Sequence, residues 1–146
     1  MFRAGFRTIR LGFETASAER QQATGGKVTS EDLRRAVAYL REAGYRSGEI
    51  GVYLLCGLPG QDAREVACGI DLVRLAGARP MLAEYSPIPG TALWGDALRH
   101  ARYDIAGEPL FQNNSLLPCL SPTFGPGDFQ ALKNRARQAV ANAEPI

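Results

Sequence analysis

The sequence predicts an α/β protein in which strands and helices alternate around a parallel sheet. Three observations carry that expectation. Strand-like segments at Thr8–Thr15, Ile50–Leu55 and Pro80–Ser86 are separated by stretches of helical periodicity, and alternation at this spacing is the pattern of βαβ units. The Ile50–Leu55 run (IGVYLL) is almost continuously apolar, as strands buried on both faces of a parallel sheet are. The chain has 146 residues, 45% hydrophobic and 22% charged, enough to bury one domain's core and too apolar for a disordered chain.

Each element follows from its residues. In Thr8–Thr15 the apolar Ile9, Leu11 and Phe13 alternate with Arg10, Gly12 and Glu14, which gives a strand with one apolar and one polar face. Arg10 and Glu14 share the polar face, either paired with each other or in solvent. Ala16–Val28 reads as a polar connection. Ser30 caps the next helix, with Glu31 and Asp32 in the first turn where carboxylates suit the helix dipole. Leu33, Ala36, Val37 and Leu40 form its apolar stripe, and Gly44 ends it. After the second strand, Asp62 and Glu65 resemble a capping box. Val66, Ile70 and Val73 then form a stripe that stops at Gly77. Following the third strand, Thr91 caps a short helix containing Leu93, Trp94, Ala97 and Leu98. Tyr103–Gly127 is rich in proline and asparagine and reads as loop. Asp128 caps a last amphipathic helix with Phe129, Leu132, Ala136 and Val140 on one face.

Composition excludes several functional classes. Seventeen basic against fifteen acidic residues leave a net charge of +2, which argues for neither nucleic acid nor a membrane surface as partner. No apolar run approaches the roughly 20 residues of a membrane span. The three cysteines, Cys56, Cys68 and Cys119, lie among apolar or small residues, which reads as reduced thiols in a cytoplasmic protein. With one histidine and scattered cysteines, no metal site or nucleophilic triad is legible, and no catalytic residue is assigned.

The residues that could carry chemistry recur at one place. Glu14-Thr15 follows the first strand, Gly57-Leu58-Pro59-Gly60-Gln61 the second, and Glu84-Tyr85-Ser86-Pro87 ends the third. In parallel α/β architectures, ligands bind at that carboxyl edge. Taken singly, each also fits a tight turn or a solvated carboxylate.

The motifs LGFETAS, TGGKV, VYLLCGLPGQ and AEYSPIPGTALW, with EPLFQNNSLLPC further on, resemble the later half of a radical S-adenosylmethionine enzyme core, in its cobalamin-binding-domain subgroup. The resemblance spans nearly the whole chain. It implies about three βα units of a partial, TIM-like barrel over residues 1–102 and a C-terminal extension over 103–146. It also implies that Met1 falls inside a longer parent, near the end of a barrel helix. Family members hold a four-iron cluster through CxxxCxxC, and the cluster cleaves S-adenosylmethionine to a radical that starts the chemistry. This chain has no CxxxCxxC, and eleven residues separate Cys56 from Cys68. The cluster therefore belongs to the full-length parent, and this chain is expected to be inactive in reductive cleavage.

The resemblance also assigns cofactor contacts. Glu14 matches a polar residue that meets the ribose or methionine part of S-adenosylmethionine. Lys27 matches a basic position facing the cofactor carboxylate and equally fits a solvated loop. Tyr53 stands where some relatives carry a ribose-binding acid. Leu55, Gly57, Leu58 and Pro59 match the segment near adenine, and Glu84, Tyr85 and Ser86 line its other side. Binding is expected to be weak in this segment. The expected partner is a second copy closing the half-barrel, or the missing N-terminal half. The rival arrangement folds Tyr103–Val140 back over the opening, with Phe111, Leu116, Leu117 and Phe129 as a plug. Outside the enzyme reading, the chain would be a non-catalytic half-barrel for nucleotide-like ligands or assembly, or a gene remnant.

Overall fold

The computed structural model describes residues 1–23 and 28–141. The chain runs β1 (Ile9–Glu14), α1 (Ala18–Ala23), α2 (Ser30–Glu42), β2 (Ile50–Cys56), α3 (Ala63–Leu75), β3 (Arg79–Glu84), α4 (Trp94–His100) and α5 (Pro126–Ala141), with short 3-10 turns between. All pairing is parallel and the strand order is β1-β2-β3. Among the described residues, α2, α3 and α5 pack on one face of the sheet, as the helices of a βα barrel do, and the middle of the other face, at Tyr53, is left bare. The protein is thus an open, partial barrel of βα units.

The covered face carries the core. Phe13 from β1, Val52, Leu54 and Cys56 from β2, Leu33 and Val37 from α2, and Val66, Ile70 and Val73 from α3 are buried together. Leu120, Phe124, Leu132 and Ala136 join the same core, so residues on both sides of position 102 share it. A second cluster gathers Leu58, Tyr85, Ala97, Ile105 and Cys119 around α4. Among the described residues no helix is long and apolar enough to cross a membrane.

The bare face holds Arg10, Tyr53 and Met81, and Tyr53 is 41% exposed. Gly51 is buried there because Arg10 and Met81 cross over it. A Cβ at Gly51 would lie 2.7 Å from Arg10 Cδ and from Met81 Sδ. Arg10 does not pair with Glu14; its Nη1 donates to the Ile9 carbonyl and its side chain stays exposed. The C-terminal segment does not plug this face. Leu117 and Phe129 pack against the core on the helix side, while Phe111 and Leu116 remain exposed.

Several element ends differ from the sequence expectation. Thr29, not Ser30, caps α2, since its hydroxyl accepts the Asp32 amide while the Asp32 carboxylate accepts the Thr29 amide. The connection after β1 contains α1, whose Ala18–Ala23 sequence (AERQQA) consists of good helix formers. Thr91 lies before α4 and donates to the Ile88 carbonyl instead of capping. α5 begins at Pro126, and Asp128 in its first turn accepts from the Gly125 amide. The loop after α4 contains 3-10 turns at Pro109–Gln112 and Asn114–Leu116. Gly44 and Gly77 end α2 and α3 as expected, both with positive φ.

Candidate functional site at the carboxyl edge of the sheet

A cavity of about 280 Å³ opens at the carboxyl ends of the strands. Glu14, Leu55, Tyr85 and Ser86 line it, together with Ile88, Thr91 and Leu93 from the loop before α4. Its wall is mainly apolar, with one carboxylate at the β1 end and hydroxyls on the opposite side. The Ser86 hydroxyl donates to the Gln112 carbonyl, which ties the rim to the C-terminal segment.

Glu14 reaches this cavity through an irregular backbone. The register slips between Gly12 and Glu14, so Glu14 pairs with Leu54. The Thr15 amide donates to the Phe13 carbonyl at 2.8 Å, and Glu14 between them has φ +67°. This is a γ-turn of the rare, strained hand. A non-glycine residue in the left-handed region costs on the order of 1–2 kcal/mol. The same irregularity re-aims the side chain, as strand bulges do.

A buried polar network holds the turns beneath the cavity. Gln61, 1% exposed, accepts from the Gly57 amide at 2.9 Å and the Leu58 amide at 3.3 Å, and donates to the Leu55 carbonyl at 3.2 Å. Glu65 accepts from the Thr15 hydroxyl at 2.8 Å and pairs with Arg20 at 2.9 Å. Arg20 also donates to the Pro59 carbonyl at 2.7 Å. Asp62 does cap α3 by accepting the Glu65 amide. The Glu65 carboxylate, however, serves Thr15, just after β1, and Arg20 of α1 instead of closing a capping box.

The sequence-derived residues therefore divide. Glu14, Leu55, Tyr85 and Ser86 come together at the cavity. Gly57, Leu58 and Pro59 form the turn below it, with Leu58 buried in the second cluster and Gly57 at φ +87°. Tyr53 lies on the bare face of β2 and does not line the cavity. Glu84 is a correction. It alternates with Tyr85, belongs to the helix side of β3, and pairs with Lys133 at 2.8 Å. That ammonium holds the Glu84 carboxyl below the usual carboxylate range. Lys27 lies outside the described residues. The sequence reading missed Ile88, Thr91 and Leu93 as lining residues, although the rigid Pro87-Ile88-Pro89 run beside Ser86 was a signal. It also assigned no role to Gln61, whose signal was its place directly after Gly-Leu-Pro-Gly.

The cysteines do not fit a four-iron cluster. Cys56 is in the main core and Cys119 in the second, while Cys68 is exposed on α3. Burial, with the Glu84 charge nearby, pushes the Cys56 thiol up to about 12, and burial raises Cys119 to about 11. Cluster ligands are thiolates. Among the described residues no group of three or more His, Cys, Asp or Glu side chains is arranged to hold a metal ion.

The groups lining the cavity are of the kind that bind a nucleoside. An apolar wall suits a flat base, and the Glu14 carboxylate can accept from ribose hydroxyls or an ammonium group. Fold and site together describe an open, partial βα barrel with a cavity at the carboxyl edge of its sheet. The chain matches no protein-family model, and no curated protein matches it.

Proposed function

We propose that the chain is a segment of a radical S-adenosylmethionine enzyme core, binding the nucleoside part of that cofactor at the carboxyl edge of β1–β3. The observation that carries this reading is Glu14, a carboxylate set on the cavity by a strained γ-turn. Such strain persists where the surrounding structure enforces it, and it clusters at functional sites. In this reading Glu14 holds hydroxyls or the ammonium, and Leu55 with Leu93 packs the base. Tyr85 and Ser86 close the wall. When bound, S-adenosylmethionine supplies the sulfonium-linked adenosyl group. In such enzymes the cluster that cleaves it is held by CxxxCxxC, a motif this sequence does not contain.

Titration calorimetry with S-adenosylmethionine tests the reading. Binding is expected to be weak, and Glu14→Gln loses about 1–2 kcal/mol, the worth of a charge-assisted hydrogen bond. Glu14→Gly relieves the left-handed strain, so the fold gains up to about 1 kcal/mol while binding falls. Binding untouched by both variants places the ligand elsewhere and removes the reading.

A second reading, assembly through the bare face, is favoured by the exposure of Tyr53 on an uncovered sheet. In this reading two copies close against each other about a two-fold axis. Light scattering at micromolar concentration then gives a dimer, and Tyr53→Glu gives a monomer. A monomer for the unaltered chain ends this second reading.

A further inference from the structure

A second cavity, of about 170 Å³, lies between the outer edge of β3 and α5, well away from the strand carboxyl ends. Pro80 and Leu82 line it from the strand together with Arg79 and Met81, which alternate onto the face of Tyr53, and Lys133 and Arg137 line it from the helix, so the cavity wraps the strand edge. Lys133 and Arg137 are four residues apart and so share one helix face. No carboxylate is among the described residues that line this cavity. Lys133 is already compensated by Glu84. The other carboxylate contact of α5, Asp71 with Arg135, leaves Arg79 and Arg137 without an ion-pair partner among the described residues.

The strand edge adds a main-chain donor. Among the described residues β3 pairs only with β2, and no strand pairs with its far edge. The Tyr85 amide donates to the Cys56 carbonyl. Alternation along a parallel strand therefore turns the amides of residues 81, 83 and 85 toward β2 and the groups of Pro80 and Leu82 outward. Pro80 fits this phase, because proline has no N–H and is tolerated where the nitrogen faces the open edge. The next outward amide is that of Leu82, a residue that lines the cavity.

We propose that this cavity is an oxyanion site for a phosphoryl group, held by the Arg79 and Arg137 guanidiniums and the Leu82 amide. Two uncompensated guanidiniums match a phosphate dianion in charge. Their planar forks suit its oxygens better than an ammonium would, and they give up hydration water more readily. The volume admits a phosphoryl group but not a whole nucleotide, so an esterified ligand would extend outward. The site is separate from the nucleoside cavity and does not rest on that reading.

The test is an amide chemical-shift titration of the labelled chain with inorganic phosphate and with phenyl phosphate, at constant ionic strength. The expected result is a saturable shift of the Leu82 amide and of the Arg79 and Arg137 side-chain N–H groups. The double variant Arg79→Gln/Arg137→Gln should weaken binding about tenfold or more. Its unchanged spectrum elsewhere shows that it folds. Tighter binding of the ester supports the site and indicates a tethered phosphate; equal binding supports it and indicates a free anion. An unmoved Leu82 amide, an equal response to acetate, or saturation retained in the double variant overturns the proposal.

Discussion

Replacing Gln61 by leucine tests whether the buried network, and not the apolar core alone, fixes the turn at the end of β2. The two side chains are close in size, so the substitution opens little cavity and chiefly removes hydrogen bonds. Lost are the acceptor for the Gly57 amide at 2.9 Å, the longer contact to the Leu58 amide at 3.3 Å, and the donor to the Leu55 carbonyl at 3.2 Å. The position is 1% exposed, so water does not readily replace these partners. A buried polar group left unpaired costs about 1–3 kcal/mol. Counting the Gly57 amide fully and the two longer contacts in part, Gln61→Leu should cost about 2–4 kcal/mol. Urea unfolding followed by circular dichroism measures it, with an unchanged m-value showing that only stability moved. Gln61→Glu gives a second check. It keeps an acceptor for the amides but sets a carboxyl against Glu65, whose Oε1 lies 3.5 Å from Gln61 Nε2. Burial and the neighbouring charge raise the new group's folded pKa above its unfolded value. Its protonated form then supports the fold at acid pH, and that support is lost as pH rises through the raised pKa. A cost below about 0.5 kcal/mol for Gln61→Leu would show that the network does not fix the turn.

Further predictions concern the other charged and thiol groups. Glu84 is held below the usual carboxylate range first by its hydrogen bond to Lys133. Its contribution is therefore present above the unfolded carboxylate pKa and lost as pH falls through the lowered folded one. Acid unfolding of Glu84→Gln should lack this component, which for a half-buried pair is below about 1 kcal/mol; an unaltered pH profile would contradict the pairing. With an aromatic disulfide reagent, Cys68 should react quickly, while Cys56 and Cys119, buried and with raised pKa values, wait for unfolding. Fast reaction of more than one thiol would contradict the burial.

The parallel sheet was legible because its signals are local. The apolar run at Ile50–Leu55 and the stripes Leu33–Leu40 and Val66–Val73 show up within a single window. The face on which Glu84 lies was not legible. Pro80-Met81-Leu82-Ala83 does not alternate, so no period marks which residues turn inward. The γ-turn at Glu14 was hidden for the opposite reason: the alternation from Ile9 to Glu14 is regular, and the slip arises from pairing with β2. Glu65 illustrates a long-range partner overriding a local motif. Its spacing from Asp62 suits a capping box, yet Thr15 and Arg20, distant in sequence, take its oxygens. Only the fold brings those groups together.

Mapping S-adenosylmethionine onto the chain by amide and methyl chemical shifts tests the proposed nucleoside site. Saturable shifts confined to Glu14, Leu55, Tyr85, Ser86 and Leu93, and lost in Glu14→Gln, are expected. Saturable shifts centred on the bare face at Tyr53, or no response at millimolar cofactor, would contradict it.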